Sequence, residues 1–186
     1  MLELDRQIND LNDALDKLQI AIQKIDNESR SKFESSFKAV NEKISEIFPT
    51  LFGGGKAELR LLEGDALSSG VALMATPPGK KNSNISQLSG GEKALTALSL
   101  VFALFKLNPA PFCMLDEVDA PLDDLNTTRF VNMVESMSPE VQFIFITHNK
   151  ISMEKSDHLM GITMQEAGVS RVVSVDVSEA LELAAS

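Results

Sequence analysis

The sequence lacks several features on which whole classes of protein depend. It contains no Trp, no Tyr and a single cysteine, Cys113, which excludes an intrachain disulfide and a cysteine-based zinc site. Apolar residues flank that cysteine, so we expect a buried structural thiol rather than a reactive one. No apolar run approaches the roughly 18 residues of a membrane span, and the N-terminus carries no signal-peptide pattern. These absences predict a cytoplasmic protein without membrane association.

Basic residues are also in short supply. The chain of 186 residues has 17 Lys and Arg against 27 Asp and Glu, and its formal net charge is −10. Tight, autonomous binding to nucleic acid requires clustered cations and is therefore not expected. A local basic patch is still compatible with this composition. Two interpretations stay open for its candidate residues, a DNA-facing surface or an ordinary solvated face; these residues are Lys56, Arg60, Lys80 and Lys81.

Glycine and proline are absent from residues 1–48, where apolar residues recur at alternating steps of four and three. This heptad spacing predicts a coiled-coil helix, with one phase slip near Ser29 that would locally unwind the supercoil. Such a stripe is too narrow for packing on the helix's own domain, so we expect a partner helix from elsewhere. Pro49 is expected to end the helix. The apolar seam comprises Leu4, Ile8, Leu11, Leu15, Leu18, Ile22 and Ile25, followed by Phe33, Phe37, Val40, Ile44 and Ile47.

Residues 49–186 follow a different pattern and predict one α/β domain beside the arm of residues 1–48. FGGGKAELRLLEG and GVALMAT predict short strands, and PPGKKNSN predicts a loop. Residues 91–106 and 123–137 predict helices, while PFCMLDE and VQFIFIT predict strands buried on both faces. A hairpin over HLMGITMQEAGVSRVVSVDV and a short terminal helix complete the layered fold.

Two kinds of stretch point to nucleotide chemistry. Ser89, Gly90 and Gly91 precede a helix, and a helix N-terminus offers unpaired amides and a positive dipole end to an anion. Asp116 and Glu117 follow a predicted strand at the sheet edge where α/β proteins bind ligands. There Asp116 would hold Mg²⁺ and Glu117 would orient or deprotonate an attacking water; the alternative is a strand ending in solvated acids.

One further residue and one absence belong to this pattern. His148 ends the next predicted strand, which would bring its imidazole near a γ-phosphate if the two strands are neighbours. The Gly-x₄-Gly-Lys-Ser/Thr phosphate loop is missing, because GGGK is followed by Ala57 and PPGKKNS has the wrong spacing. The chain thus has residues suited to hydrolysis without the usual phosphate cradle.

The order of these motifs resembles the C-terminal half of the ABC-type ATPase head of bacterial SMC (structural maintenance of chromosomes) proteins. LSGGEKALTALSLVFALF, FCMLDEVDAPLDDLN and ITHNKISMEKSDHLMG are similar to the family's signature motif, Walker B with D-loop, and switch-histidine segment. The resemblance implies a Walker B role for Asp116, a catalytic base in Glu117 and a γ-phosphate sensor in His148. It also implies that Asp123 is the D-loop aspartate and that Ser89, Gly90 and Gly91 contact ATP held by the opposite head.

The same resemblance implies several partners. The family's Walker A motif lies in an N-terminal head lobe far away in the polypeptide, so we expect that lobe, ATP and Mg²⁺ to complete the site. A second SMC head would pair with this one in an ATP-dependent homodimer. A kleisin subunit would bind by its winged-helix domain, plausibly through residues 156–183, and DNA would join the full complex.

Two alternatives stay open at this point. One is the head lobe of a related coiled-coil ABC ATPase of DNA repair, which differs in arm length and hinge type. The other is a non-enzymatic scaffold that binds a kleisin and carries vestigial ATPase motifs, against which the intact Asp116, Glu117 and His148 set argues.

Overall fold

A computed structural model describes residues 2–64, 67–81, 83–166 and 168–174. The long helix α1 (Leu2–Phe52) leads into an antiparallel sheet of β1 (Lys56–Leu61), β2 (Val71–Thr76) and the short β3 (Ser83–Asn84). Next come α2 (Gly90–Leu107), β4 (Phe112–Asp116), α3 (Asp124–Met137) and β5 (Gln142–Ile146), with β4 and β5 parallel. The short α4 (Lys150–Glu154) precedes an antiparallel hairpin of β6 (Met160–Glu166) and β7 (Val169–Ser174).

Most of the predicted elements are confirmed within a residue or two, including helices α2 and α3, the parallel strands β4 and β5, and the C-terminal hairpin. The predicted terminal helix lies outside the described residues. Among the described residues, no helix has the length and hydropathy that crossing a membrane would require.

Helix α1 has two parts that differ in burial. Its heptad seam from Leu4 to Ile25 is exposed along its whole length, with Leu4 and Leu11 each 64% exposed. From Val40 onward the same helix enters the core, where Ile44, Phe48 and Leu51 are fully buried. The first part therefore presents an apolar stripe that the described residues do not cover, and the second part is a structural element of the globular domain.

The expectation that Pro49 ends α1 is wrong, because the helix continues to Phe52. A proline in a helix costs about 3 kcal/mol or more, but burying a large apolar side chain contributes about 1.5–3 kcal/mol. Leu51 and Phe52, the two apolar side chains beyond Pro49, are both buried, and their burial offsets a cost of this size. The helix instead ends in a glycine cap, in which the Gly54 amide donates to the Pro49 carbonyl at 2.9 Å and Gly53 adopts a φ of 71°.

The core lies between the last turns of α1, helices α2 and α3, and the inner face of the β4–β5 sheet. Phe102 of α2 lies 6.2 Å from Phe130 of α3 and 6.3 Å from Phe143 of β5, measured between ring centroids. Cys113 and Leu115 point from β4 into the same core. Cys113 is buried, as expected for a structural thiol, and this burial raises the pKa of the thiol.

The outer face of the β4–β5 sheet is exposed, which contradicts the prediction that both strands are buried on both faces. Phe112 and Met114 are 57% and 62% exposed, and Ile144 and Ile146 are 43% and 54% exposed. A continuous apolar run indicates that both faces are covered. The described part of the chain supplies helices to one face only, so the run predicts a cover that these residues do not contain.

Candidate functional site

The carboxyl ends of β4 and β5 form one edge of the parallel sheet. Asp116 lies opposite Ile146 in the strand register, and the Glu117 amide donates to the Ile146 carbonyl at 2.9 Å. His148 follows two residues after Ile146, so the predicted proximity of the two strands is confirmed. Asp116, Glu117 and His148 are all exposed at this edge, where they are accessible to a ligand.

Glu117 has an unusual backbone conformation. Its φ is 48°, and it is the one non-glycine residue with positive φ in the described part of the chain. The left-handed region is costly for a residue with a Cβ and long side chain, by about 1–3 kcal/mol. Two backbone hydrogen bonds hold the turn in place: the Glu117 amide donates to the Ile146 carbonyl, and the Ala120 amide donates to the Glu117 carbonyl at 3.2 Å. Strain of this kind is concentrated at functional sites.

Asp119 is a residue that the sequence analysis did not single out. Its side chain is buried, with 2% of its surface exposed, and its Oδ2 accepts a hydrogen bond from Thr147 Oγ1 at 2.6 Å and another from Ser152 Oγ. These bonds join the turn after β4 to the segment after β5. The signal in the sequence was a third acid in DEVD, but nothing there shows that this acid alone is buried.

The Ser89 turn has the geometry of a capped helix N-terminus. Ser89 is the N-cap of α2: its amide donates to Glu92 Oε2 at 2.8 Å, and its Oγ accepts from the Glu92 amide at 3.4 Å. Lys80 Nζ lies 2.8 Å from Glu92 Oε1. The hydrogen bond from Lys80, followed by the one from the Ser89 amide, lowers the pKa of the Glu92 carboxyl. Lys80 therefore forms an ion pair with Glu92 beside this turn.

The two glycines after Ser89 have different surroundings. A Cβ on Gly91 would lie 2.7 Å from the Pro121 carbonyl oxygen, so this glycine allows α2 to pack against the loop after β4. A Cβ on Gly90 would have no described heavy atom within 4 Å. Packing within the described residues explains the absence of a side chain at Gly91 and does not explain it at Gly90.

Asp123 has a structural role in the described chain. It is the N-cap of α3, and its Oδ1 accepts from the Asn126 amide at 2.8 Å. The other end of this region is also fixed, because Arg129 Nη1 donates to the Phe52 carbonyl at 2.8 Å. Helix α3 thus connects the Asp123 turn to the end of α1.

The sheet edge carries carboxylates of the kind that hold Mg²⁺ beside a nucleotide. Among the described residues no three His, Cys, Asp or Glu side chains are grouped as a complete metal cage. Mg²⁺ bound with nucleotides usually takes one or two carboxylates and completes its shell with water and phosphate oxygens. Asp116 can supply such a ligand, whereas a phosphate cradle has no counterpart in the sequence.

Comparison with known proteins identifies the class of protein. The family model for the RecF/RecN/SMC N terminal domain matches residues 3–171, and the chain belongs to this family. Its α/β fold is that of SMC head domains: an SMC head with an extended coiled coil from Pyrococcus furiosus, bound to the C-terminal domain of ScpA, is 40% identical with a TM-score of 0.80. The match covers 98% of this chain and 46% of that one.

Two further comparisons show similarity to SMC ATPases and to a bacterial Smc protein. A chain from a structural study of ATP-driven dimerization and DNA-stimulated activation of SMC ATPases is 42% identical, with a TM-score of 0.76 over 83% of this chain and 94% of that one. A bacterial relative from Bordetella petrii named Chromosome partition protein Smc is 59% identical over 182 residues, which is 98% of this chain. The chain spans 16% of that relative's length.

Proposed function

We propose that this chain is the C-terminal lobe of the ATPase head of a bacterial chromosome-partitioning SMC protein. In this proposal it supplies the hydrolytic carboxylates and the signature motif, and another part of the polypeptide supplies the phosphate cradle. The observation that carries the proposal is the parallel pairing of β4 and β5, which brings Asp116, Glu117 and His148 to one exposed edge. The relatives' name supports the chromosomal role over a role in DNA repair.

The three residues at the edge have distinct roles. Asp116 would ligate Mg²⁺, directly or through water, and the bound ion would neutralise charge on the phosphoryl oxygens. Glu117 would orient the attacking water and accept its proton, and its backbone, where the side chain begins, is fixed by the strained turn and the amide hydrogen bond to Ile146. His148 would sense the γ-phosphate from the neighbouring strand. A non-enzymatic scaffold would not need these three side chains together at one exposed edge, and this argues against vestigial motifs.

Ser89, Gly90 and Gly91 would contact ATP held by a second copy of the head. The open space above Gly90 supports this role, because a backbone without a side chain permits close approach of a phosphate. Asp123 would face the same interface as the D-loop aspartate. The study from which one structural relative comes concerns ATP-driven dimerization of SMC ATPases, which also supports an ATP-dependent homodimer.

The N-terminal head lobe of the same polypeptide would cover the outer face of the β4–β5 sheet. Phe112, Met114, Ile144 and Ile146 form an apolar surface there that no described element covers, and a sheet of this kind is normally buried on both faces. The exposed seam of α1 would pair with the outgoing helix that leads away from that lobe. One missing segment thus accounts for both uncovered surfaces.

Kleisin and DNA are the remaining partners in the proposal. The β6–β7 hairpin exposes Met160, Ile162 and Val172, and it falls within residues 156–183, where we expect the kleisin winged-helix domain to bind; residues 175–183 lie outside the described residues. The Pyrococcus furiosus head is bound to the C-terminal domain of ScpA. DNA would bind the full complex, at a cytoplasmic, nucleoid-associated location. Of the four candidate cations, Arg60 pairs with Glu58 and Lys80 with Glu92.

Calorimetric titration with Mg-ATP tests the division of the site between two lobes. The isolated chain should show no binding at micromolar nucleotide, whereas a mixture with the N-terminal lobe should bind. A chain carrying Asp116→Asn, mixed with the same lobe, is the matched control for the metal ligand and should bind ATP with a weaker dependence on Mg²⁺. Micromolar binding by the isolated chain would contradict the proposal.

A further inference from the structure

Asp119 joins two loops that the proposed chemistry needs in a fixed relation. Its buried Oδ2 accepts a hydrogen bond from Thr147 Oγ1 at 2.6 Å. This bond connects the turn after β4 to the segment that carries His148. Ser152 Oγ, which is fully buried in α4, donates to the same oxygen. A buried polar oxygen that loses its hydrogen-bond partners is costly, so both bonds are strongly favoured at this position. The carboxylate therefore fixes both the strand end and the following helix.

Thr147 extends this connection to both sides of His148. While its hydroxyl donates to Asp119, the same oxygen accepts from the Asn149 amide at 2.9 Å. Asn149 in turn caps α4, because its Oδ1 accepts from the Ile151 amide at 2.9 Å. The residues before and after His148 are thus held by side-chain bonds, and the imidazole itself stays exposed.

The same turn also fixes Glu117. The Glu117 amide donates a hydrogen bond to the Ile146 carbonyl at the end of β5. Two residues later, the Asp119 carboxylate accepts a hydrogen bond from the Thr147 hydroxyl. Two parallel connections therefore join the turn after β4 to the segment after β5, one through the backbone and one through side chains. A displacement of either loop would change the separation between the Glu117 carboxylate and the His148 imidazole.

We infer that Asp119 is a positioning residue, which sets the geometry between Glu117 and His148 by binding Thr147 and Ser152 without contacting the nucleotide. This inference rests on the proposed function for the roles of Glu117 and His148. Misplacing a reacting group by about 1 Å can cost roughly a hundredfold in rate. Breaking the connection should therefore lower kcat for ATP hydrolysis while leaving the apparent affinity for ATP nearly unchanged.

Thr147→Val and Thr147→Ser in the full-length protein form the test pair. Valine keeps the shape and removes the hydroxyl, so kcat should fall roughly ten- to a hundredfold with KM for ATP within about twofold of wild type. Serine keeps the hydroxyl and should restore kcat to within about threefold of wild type. Amide exchange by mass spectrometry gives a readout without nucleotide: exchange of the segment 147–152 should accelerate in Thr147→Val and not in Thr147→Ser.

Further variants keep the result decisive. Ser152→Ala removes the second donor to Asp119 and should also lower kcat. It takes the place of Thr147→Val if that variant fails to fold. Wild-type kcat in the folded Thr147→Val protein, or an equal loss in Thr147→Ser, would overturn the role of Asp119. Glu117→Gln is measured alongside: if it hydrolyses ATP normally, the proposed function fails, whereas an inactive Glu117→Gln beside a fully active Thr147→Val would defeat only the inference about Asp119.

Discussion

Gly90→Ala separates a role in the fold from a role at an interface. A methyl group at this position meets no described atom within 4 Å, and Gly90 is the first residue of α2 with no positive φ. Replacing Gly by Ala at a compatible position stabilises a protein by about 0.4–1 kcal/mol, mainly by restricting the unfolded chain. For a chain of this size that corresponds to an increase in Tm of roughly 1–4 °C.

The same methyl should weaken ATP-driven pairing of heads. If the γ-phosphate of an ATP on the opposite head approaches the Gly90 backbone, the methyl occupies the space of closest approach. We expect the dissociation constant of the ATP-bound dimer to rise at least about tenfold, which is about 1.4 kcal/mol. Sedimentation of heads assembled from both lobes, in a Glu117→Gln background that preserves ATP, measures this constant, and thermal unfolding of the same samples measures stability.

Gly91→Ala is the matched control for this experiment. Its Cβ would meet the Pro121 carbonyl oxygen at 2.7 Å, so it should destabilise the fold by about 1–3 kcal/mol through overpacking. The two neighbouring substitutions should therefore shift Tm in opposite directions. A Gly90→Ala head that is as stable as expected and pairs like wild type would refute the assignment of Gly90 to the interface.

Two further substitutions probe the same turn. Ser89→Arg should block ATP-dependent pairing by steric and charge conflict at the anion site, and ATP-dependent dimers of this variant in sedimentation would contradict the assignment. Glu92→Gln keeps the capping geometry and removes the charge that Lys80 and the Ser89 amide stabilise. Because the folded pKa of Glu92 is lowered from its ordinary value of 4.5, the stabilisation is present above that value and is lost as the pH falls through the folded pKa. The unfolding free energies of wild type and Glu92→Gln should differ at pH 7 and converge in acid; an equal difference at both pH values would contradict the ion pair.

Much of the fold could be predicted from local pattern. Helix α2 begins at Gly90, directly after the N-cap Ser89, and carries a long apolar run, and strands β4 and β5 are short apolar runs bounded by polar residues. Each of these signals is local, because it lies within the element that it predicts or directly beside it. The hairpin of β6 and β7 follows from the same kind of pattern, whereas the edge that brings Asp116, Glu117 and His148 together was predicted only on condition that β4 and β5 are neighbours.

The features that were missed depend on contacts distant in sequence. Pro49 indicated the end of a helix, but the core around Phe48 and Leu51 extends it, and that core is formed by α2 and α3. Burial of β4 and β5 on both faces was predicted from their composition, but the described residues cover only one face of the pair. Asp119 resembled its exposed neighbours in the sequence, and only the fold brings Thr147 and Ser152 to it.

ATP turnover on mixing this chain with the N-terminal head lobe tests the central claim most directly. Neither lobe alone should hydrolyse ATP, the mixture should, and the mixture containing Glu117→Gln should bind ATP and pair without hydrolysis because Gln cannot accept a proton. The account is contradicted if the isolated chain hydrolyses ATP, or if the Glu117→Gln mixture turns over at the wild-type rate.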